Sequence, residues 1–392
     1  MNTLLGTPDL GTANLEHRDR VDFRELRRAR TDRVFGLMDE LGLDALILGR
    51  EANARYATGV RRLWTSMSRA FVPTCFMLRA PRATHLLSFS ASYEGIPEEI
   101  GPDHYFPVTW NPMGMVERFS RYDGASNVRR IGVDGMTPLF RDLLSHAFPG
   151  ADLVGIDTEL CALRRAKLGA EITCMRVAVA IAEAALVAAI TRLRPGRPLA
   201  DLQAAYLERM SLLGTSQFAQ QGTFSPIGPL GDLRWITPTG VVRDGTAVAL
   251  AGGALWAGYE GSLARTWWTG PQAPTREARS AADRWRDSVA PVIASLRPGI
   301  TGRELLRAFG DADAEPAARS VHAVGIGHEG AIATPWLAPD ALDAEALHTG
   351  MVVAVRELTR TASGGYLGEE MVLVTDDGPE VLTTLAHGPL AN

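Results

Sequence analysis

The stretch from Val248 to Trp268, VALAGGALWAGYEGSLARTWW, decides how the chain is read. Thr246 to Leu250 is a run of mostly small apolar residues, Gly252-Gly253 loosens the backbone, and Leu255 onward runs through Gly258-Tyr259 to Arg265-Thr266-Trp267-Trp268. Short, apolar, aromatic-rich runs separated by glycine predict two β-strands. A basic residue, a threonine and two tryptophans leave the second one.

Composition bounds what such a hairpin can belong to. A chain of 392 residues accommodates two domains and buries roughly three quarters of its unfolded surface. A net charge of −5 with no basic block excludes a nucleic-acid grip of the usual kind. Cys75, Cys161 and Cys174 are too scattered for a disulfide frame or a zinc knuckle and read as small hydrophobes. The first residues carry Asp9, Glu16, Arg18 and Asp19 and no long apolar run, so neither a signal peptide nor a membrane span is expected, and the expected location is cytoplasmic.

In chain order, residues 1–20 read as a loose polar arm. Val34, Leu37, Met38 and Leu41 lie at helical spacing, and Leu43 to Leu48 follows as a buried strand. Strands are expected again at Phe71–Met77, Thr84–Phe89, His104–Phe106, Arg130–Val133 and Asp152–Val154, with a helix over Leu139–Ala147. This alternation predicts a mixed α/β domain over residues 21–158. Glu171 to Leu193 is a long helix whose nearly unbroken apolar run implies burial on more than one side. Leu193-Arg-Pro-Gly196 recurs as Leu296-Arg-Pro-Gly299, each after a helix and before another, which points to a duplicated unit within residues 159–392.

The hairpin, with Arg265-Thr266 leaving its second strand, resembles the central hairpin D-x-G-x(8)-D-x-T-R-T of the pita-bread superfamily, which holds aminopeptidase P, prolidase, methionine aminopeptidase and creatinase. Arg55-Tyr56 leading into Thr58-Gly59 resembles the opening of the smaller N-terminal domain in the creatinase and prolidase members. Further on, Ser320 to Glu329 resembles G-H-G-I-G-x-x-x-H-E, Gly350 to Leu358 resembles G-M-V-x-x-x-E-P, and Gly364 to Thr375 resembles G-G-x-R-x-E-D-x-V-L-V-T. The resemblance implies an α/β (α+β) fold, with a small α/β domain followed by a pseudo-two-fold pita-bread domain, and a homodimer.

The same alignment puts the five metal-ligand positions of the family on Ala251, Ser262, His322, Arg356 and Glu369. Two divalent cations about 3.5 to 4 Å apart need bridging carboxylates to offset their repulsion, and hard cations want several oxygen ligands. With three carboxylates gone, one to a guanidinium, neither a metal nor another cofactor is expected. Glu357 falls one place after the ligand glutamate. Because strand side chains alternate faces, it turns away from the site unless a bulge corrects the register.

Creatinase is the member that works without metal, and the resemblance therefore implies a metal-independent hydrolase. The expected catalytic residues are His322, Glu369 and Glu357, with Arg234, Trp235, Tyr259, His328 and Arg356 on the substrate. The creatinase match is partial: the upstream histidine falls on Arg234, the guanidinium-holding glutamate on Ala264 and the later histidine on Glu369. Two arginines and aromatics suit a small, carboxylate-bearing molecule, and His322 beside Glu369 suits acid–base work near neutral pH. The leading expectation is C–N bond hydrolysis of an amino-acid-like, guanidino or amidine compound. Two alternatives stand beside it: a non-catalytic ligand- or partner-binding module, and a residual Xaa-Pro metallopeptidase.

Overall fold

The computed structural model describes residues 21–60, 72–88, 97–107, 112–215, 218–310 and 319–388; the side chains of Gln221 and His328, and the expected arm at 1–20, lie outside the description. The chain divides into two compact units between Arg164 and Arg165, a few residues beyond the 158/159 edge expected from sequence.

The first unit runs α1 (Phe23–Glu40), β1 (Ala45–Leu48), α2 (Glu51–Thr58), β2 (Cys75–Leu78), β3 (Ala83–Ser88), β4 (Tyr105–Pro107), α3 (Pro112–Phe119), β5 (Arg130–Val133), α4 (Pro138–Ala147), β6 (Asp152–Gly155) and α5 (Asp157–Arg165). Its six strands form one sheet in the order β4-β3-β2-β1-β5-β6, parallel at β1–β5 and β5–β6 and antiparallel at β1–β2. The helices start where the side chains dictate: Asp22 accepts from the Glu25 amide at the head of α1, and Thr137 from the Phe140 amide at the head of α4. The sequence reading gave no helix over α3 or α5.

The second unit begins with α6 (Gly169–Arg192), α7 (Leu199–Leu212), β7 (Phe218–Pro226), β8 (Ala247–Trp256) and β9 (Tyr259–Trp268). It continues through α8 (Arg276–Ser295), α9 (Gly302–Ala308), β10 (Arg319–Gly325), β11 (Gly327–Ala333), α10 (Pro339–Leu342), β12 (Val352–Thr361), β13 (Gly364–Thr375) and β14 (Gly378–Val381). The sheet order β11-β10-β12-β13-β9-β8-β7, with β14 on β13, sets β7-β8-β9 and β10-β12-β13 as mirror-ordered triplets meeting at β9 and β13.

The repeated LRPG segments carry the same duplication. Gly196 and Gly299 both take left-handed φ, +83° and +88°, and each donates its amide over 2.8 Å to the segment before the following strand pair, to Val242 and to Leu347 respectively. This is the pseudo-two-fold pita-bread arrangement that the hairpin implied.

Among the described helices only α6 is long and apolar enough to cross a bilayer, yet most of its apolar window is buried within the fold. It packs on β8 and β9, as a core helix does. Gly261 permits that approach: a Cβ there would stand 2.2 Å from the Val179 nitrogen and 2.3 Å from the Ala178 carbonyl carbon, both helix backbone. The outer face of the other triplet packs on α8 through Trp285, Val321, Ala323, Val353, Val355, Tyr366 and Val372.

Candidate active site

Strand parity sorts the chemistry onto two faces. Register pairs Ala251 with Ala264, Gly253 with Ser262, Ala264 with Glu369, Glu369 with Arg356, and His322 with Ala354. Directly paired residues share a face, and residues two apart on a strand share it too. One face, here called the inner, therefore carries Glu260, Ser262, Ala264, Ala251, Glu369, Arg356 and His322 together. Ala251 and Ala264 contribute to its apolar floor with Ile227, Ala249, Leu358 and Leu367.

The two halves are clamped where they meet. The Thr266 hydroxyl donates to the Leu367 carbonyl at 2.9 Å and accepts from the Leu367 amide at 2.8 Å. Arg265, buried, donates to the carbonyls of Ala264, Glu369 and Leu385 and to the Glu370 carboxylate. The Arg-Thr pair of the hairpin motif is thus structural, and it fixes the strand that presents Glu369.

Glu369 is 1% exposed, and its Oε1 has no hydrogen-bond partner. The Arg356 guanidinium lies 3.5 Å from its Oε2, too far for a well-made hydrogen bond. That guanidinium stacks over the Trp235 ring, 4.6 Å from the centroid. Trp235 is itself tied to β7, its carbonyl accepting from the Thr223 hydroxyl at 2.8 Å.

Glu260, 4% exposed, sits two residues before Ser262 on the same face. Burial raises its carboxyl to about 7, the charge of Glu369 pushes the same way, the neighbouring polar side chain of Gln220 offsets part of this, and the charge of Glu329 adds a further rise. Glu329 in turn accepts from Lys167 at 2.5 Å, with both side chains buried. Gly325 makes room for that pair, since a Cβ there would stand 2.2 Å from the Glu329 Oε1.

Four of the expected site residues gather on this face or at its edge: His322, Glu369 and Arg356 on the strands, and Trp235 stacked on Arg356. Two others do not. Glu357 is one residue past Arg356 and faces α8, fully buried, 3.7 Å from Arg319; no bulge interrupts β12 there, so alternation carries it away. Tyr259 faces α6, its hydroxyl donating to Glu171 at 2.6 Å. Arg234 is exposed and, among the described residues, forms no ion pair. His328 lies on β11 opposite Val324, with its side chain outside the description. Glu260 is absent from the expected site residues and is the residue most under-read: at the matching hairpin position the family pattern holds no carboxylate.

A scan against family models matches the metallopeptidase family M24 over residues 173–376 and the creatinase/prolidase N-terminal domain over residues 30–166. The chain belongs to metallopeptidase family M24. It is 27% identical over 296 residues to an uncharacterized hydrolase/peptidase, y4tL, of Sinorhizobium fredii, covering 69% of this chain and 72% of that protein. It is 23% identical to an Xaa-Pro dipeptidase of Pyrococcus horikoshii, covering 92% and 98% of the two chains. Among solved structures, an X-Pro aminopeptidase from Thermotoga maritima shares the fold with a TM-score of 0.74 at 19% identity over 92% of this chain and 98% of that one. The prolidase of Pyrococcus horikoshii does so with 0.71 at 18% identity, over 91% and 99%.

The family name implies bound metal, and the inner face does not fit it. Where the resemblance asks for five ligands, Ala251 offers a methyl group, Ser262 a neutral hydroxyl and Arg356 a fixed cation set against Glu369. Among the described residues no group of three or more His, Cys, Asp or Glu is placed to hold a metal ion.

Proposed function

We propose that this M24 protein hydrolyses the amide bond of a small, peptide-like substrate by carboxylate acid–base catalysis rather than through a metal pair. The observation that carries this reading is the presence of Glu260 and Glu369 on one buried face: the charge of Glu369 helps raise the Glu260 carboxyl to about 7, and Glu369 itself keeps a free oxygen. Ionised Glu369 takes a proton from water as its oxygen attacks the carbonyl carbon. Glu260 delivers its proton to the departing nitrogen as the C–N bond breaks. The proton on Glu369 then restores Glu260, leaving a carboxylic acid and an amine as products. His322, on the same face, orients the water or the carbonyl in this reading.

The M24 relatives named as Xaa-Pro dipeptidases support Xaa-Pro dipeptides as the first substrates to try. A guanidino or amidine substrate is disfavoured, because it would set a second cation beside Arg356. A residual metallopeptidase is the second reading, favoured by those same names. A homodimer and a cytoplasmic location complete the proposal; sedimentation and cell fractionation test them.

The deciding test is elemental analysis of the purified protein alongside Xaa-Pro dipeptide hydrolysis with and without chelator. Less than about 0.1 metal per chain and chelator-insensitive turnover are expected of a pocket this short of carboxylates. Near-stoichiometric metal with chelator-sensitive turnover establishes the second reading. No turnover of any dipeptide leaves a binding protein.

A further inference from the structure

We infer that Arg356 and Trp235 form a carboxylate-binding subsite, so that the ligand of this face carries a free carboxylate beside an apolar body. The inference rests on the reading of the inner face as a substrate site. It names the residues that grip the carboxylate end, one of them, Arg356, standing where the resemblance puts a metal ligand.

Arg356 stands on the inner face with its side chain only 18% exposed. Among the described residues its guanidinium donates no hydrogen bond, and its Nε is buried without a partner. A guanidinium with its donors open and little water to fill them is costly unless an acceptor arrives. Glu369 supplies charge at 3.5 Å but no hydrogen bond. Trp235 holds the plane of the guanidinium by stacking, which leaves the edge of the fork for bidentate pairing, and carboxylate geometry matches that edge.

The same Trp235 is a wall of a cavity of about 410 Å3, lined also by Leu233, Leu358, Asp232 and Arg360. Leu358 is the next inner-face residue after Arg356 on β12, so the apolar wall begins one strand step from the guanidinium. Leu233, Leu358 and the indole suit a small ring or branched side chain. Asp232, also on the lining and opposite in sign to Arg356, suits an amine on the same ligand. A free dipeptide or an acylated amino acid has this order of groups.

The test measures binding rather than turnover, so it survives failure of the hydrolytic reading. N-acetyl-L-proline and N-acetyl-L-prolinamide differ only in the carboxylate, and calorimetric titration of the full chain gives the ratio of their affinities. The acid is expected to bind about tenfold tighter or more, and Arg356→Gln to bring the ratio to near one. Trp235→Leu, at a half-exposed position that leaves the fold in place, is expected to cut the ratio several-fold. Glu369→Gln removes the competing anion and is expected to tighten the acid while weakening turnover, a split that a purely catalytic Glu369 does not give. Arg192→Gln, at an exposed arginine of α6 paired with Glu208, is expected to change nothing. Equal affinity for acid and amide in the wild type overturns the inference, as does an acid preference that persists in both Arg356→Gln and Trp235→Leu.

Discussion

Glu369 and Glu370 are neighbours on one strand, both buried, and their surroundings are opposite. Glu370 faces outward and is fully occupied: Arg265 at 3.0 Å, His387 at 2.5 Å and the Thr383 hydroxyl all meet it. Burial works to raise its carboxyl, but the His387 hydrogen bond and the charge of Arg265, with Thr383, outweigh burial and leave it below the ordinary range. Glu369 faces inward with an oxygen that nothing meets. A buried carboxylate that is fully hydrogen-bonded serves the fold; one left open waits for something outside the chain. Glu183 is occupied in the way of Glu370, one oxygen accepting from the Thr384 and Leu385 amides and the other from the Thr384 hydroxyl.

Three measurements press on this contrast. The largest effect is expected from Glu370→Ala, which leaves Arg265 buried without its anion and should cost about 3 to 5 kcal/mol in chemical denaturation. Glu369→Gln should cost little or stabilise, and equal losses at the two positions would erase the distinction.

Next comes pH. The folded carboxyl of Glu260 lies at about 7 against an ordinary 4.5. Between those values the unfolded chain has released its proton while the folded chain keeps it. The stability this provides is therefore complete below 4.5 and lost as pH rises through 7, by about 3 kcal/mol. Glu260→Gln stays neutral throughout, so the gap between its denaturation midpoint and the wild type's should open in favour of the variant toward pH 8. A gap that stays constant would contradict the buried, protonated state.

The smallest expected effect is on rate. Glu369→Gln should lower dipeptide turnover about a hundredfold or more, and a variant as active as the wild type would move Glu369 out of the chemistry.

Much of the fold was legible because its signals are local. The hairpin glycines, the spacing of α1 and α6 and the doubled LRPG each depend on a few consecutive residues, and each fell where expected. Strand parity was legible only as a condition: Glu357 was assigned to the chemistry although its one-place offset required a bulge to turn it inward, and without one it faces α8. What sequence could not supply was which of two equally apolar strand faces looks inward. Tyr259, next to Glu260, was therefore assigned to the substrate while its hydroxyl belongs to Glu171. The raised carboxyl of Glu260 depends first on burial and then on the charges of Glu369 and Glu329, both far along the chain and visible only once β13 and β11 are in place.

Lys167 is the chain's single lysine, and its ammonium is sealed against Glu329 with its side chain 1% exposed. Every other basic side chain is arginine or histidine, so the folded molecule shows acylating reagents no side-chain amine among its described residues. Amine coupling to a sensor surface or a cross-linker will therefore find little to hold. That silence is useful: acylation at residue 167 requires the buried Lys167–Glu329 pair to part, and so reports that opening alone.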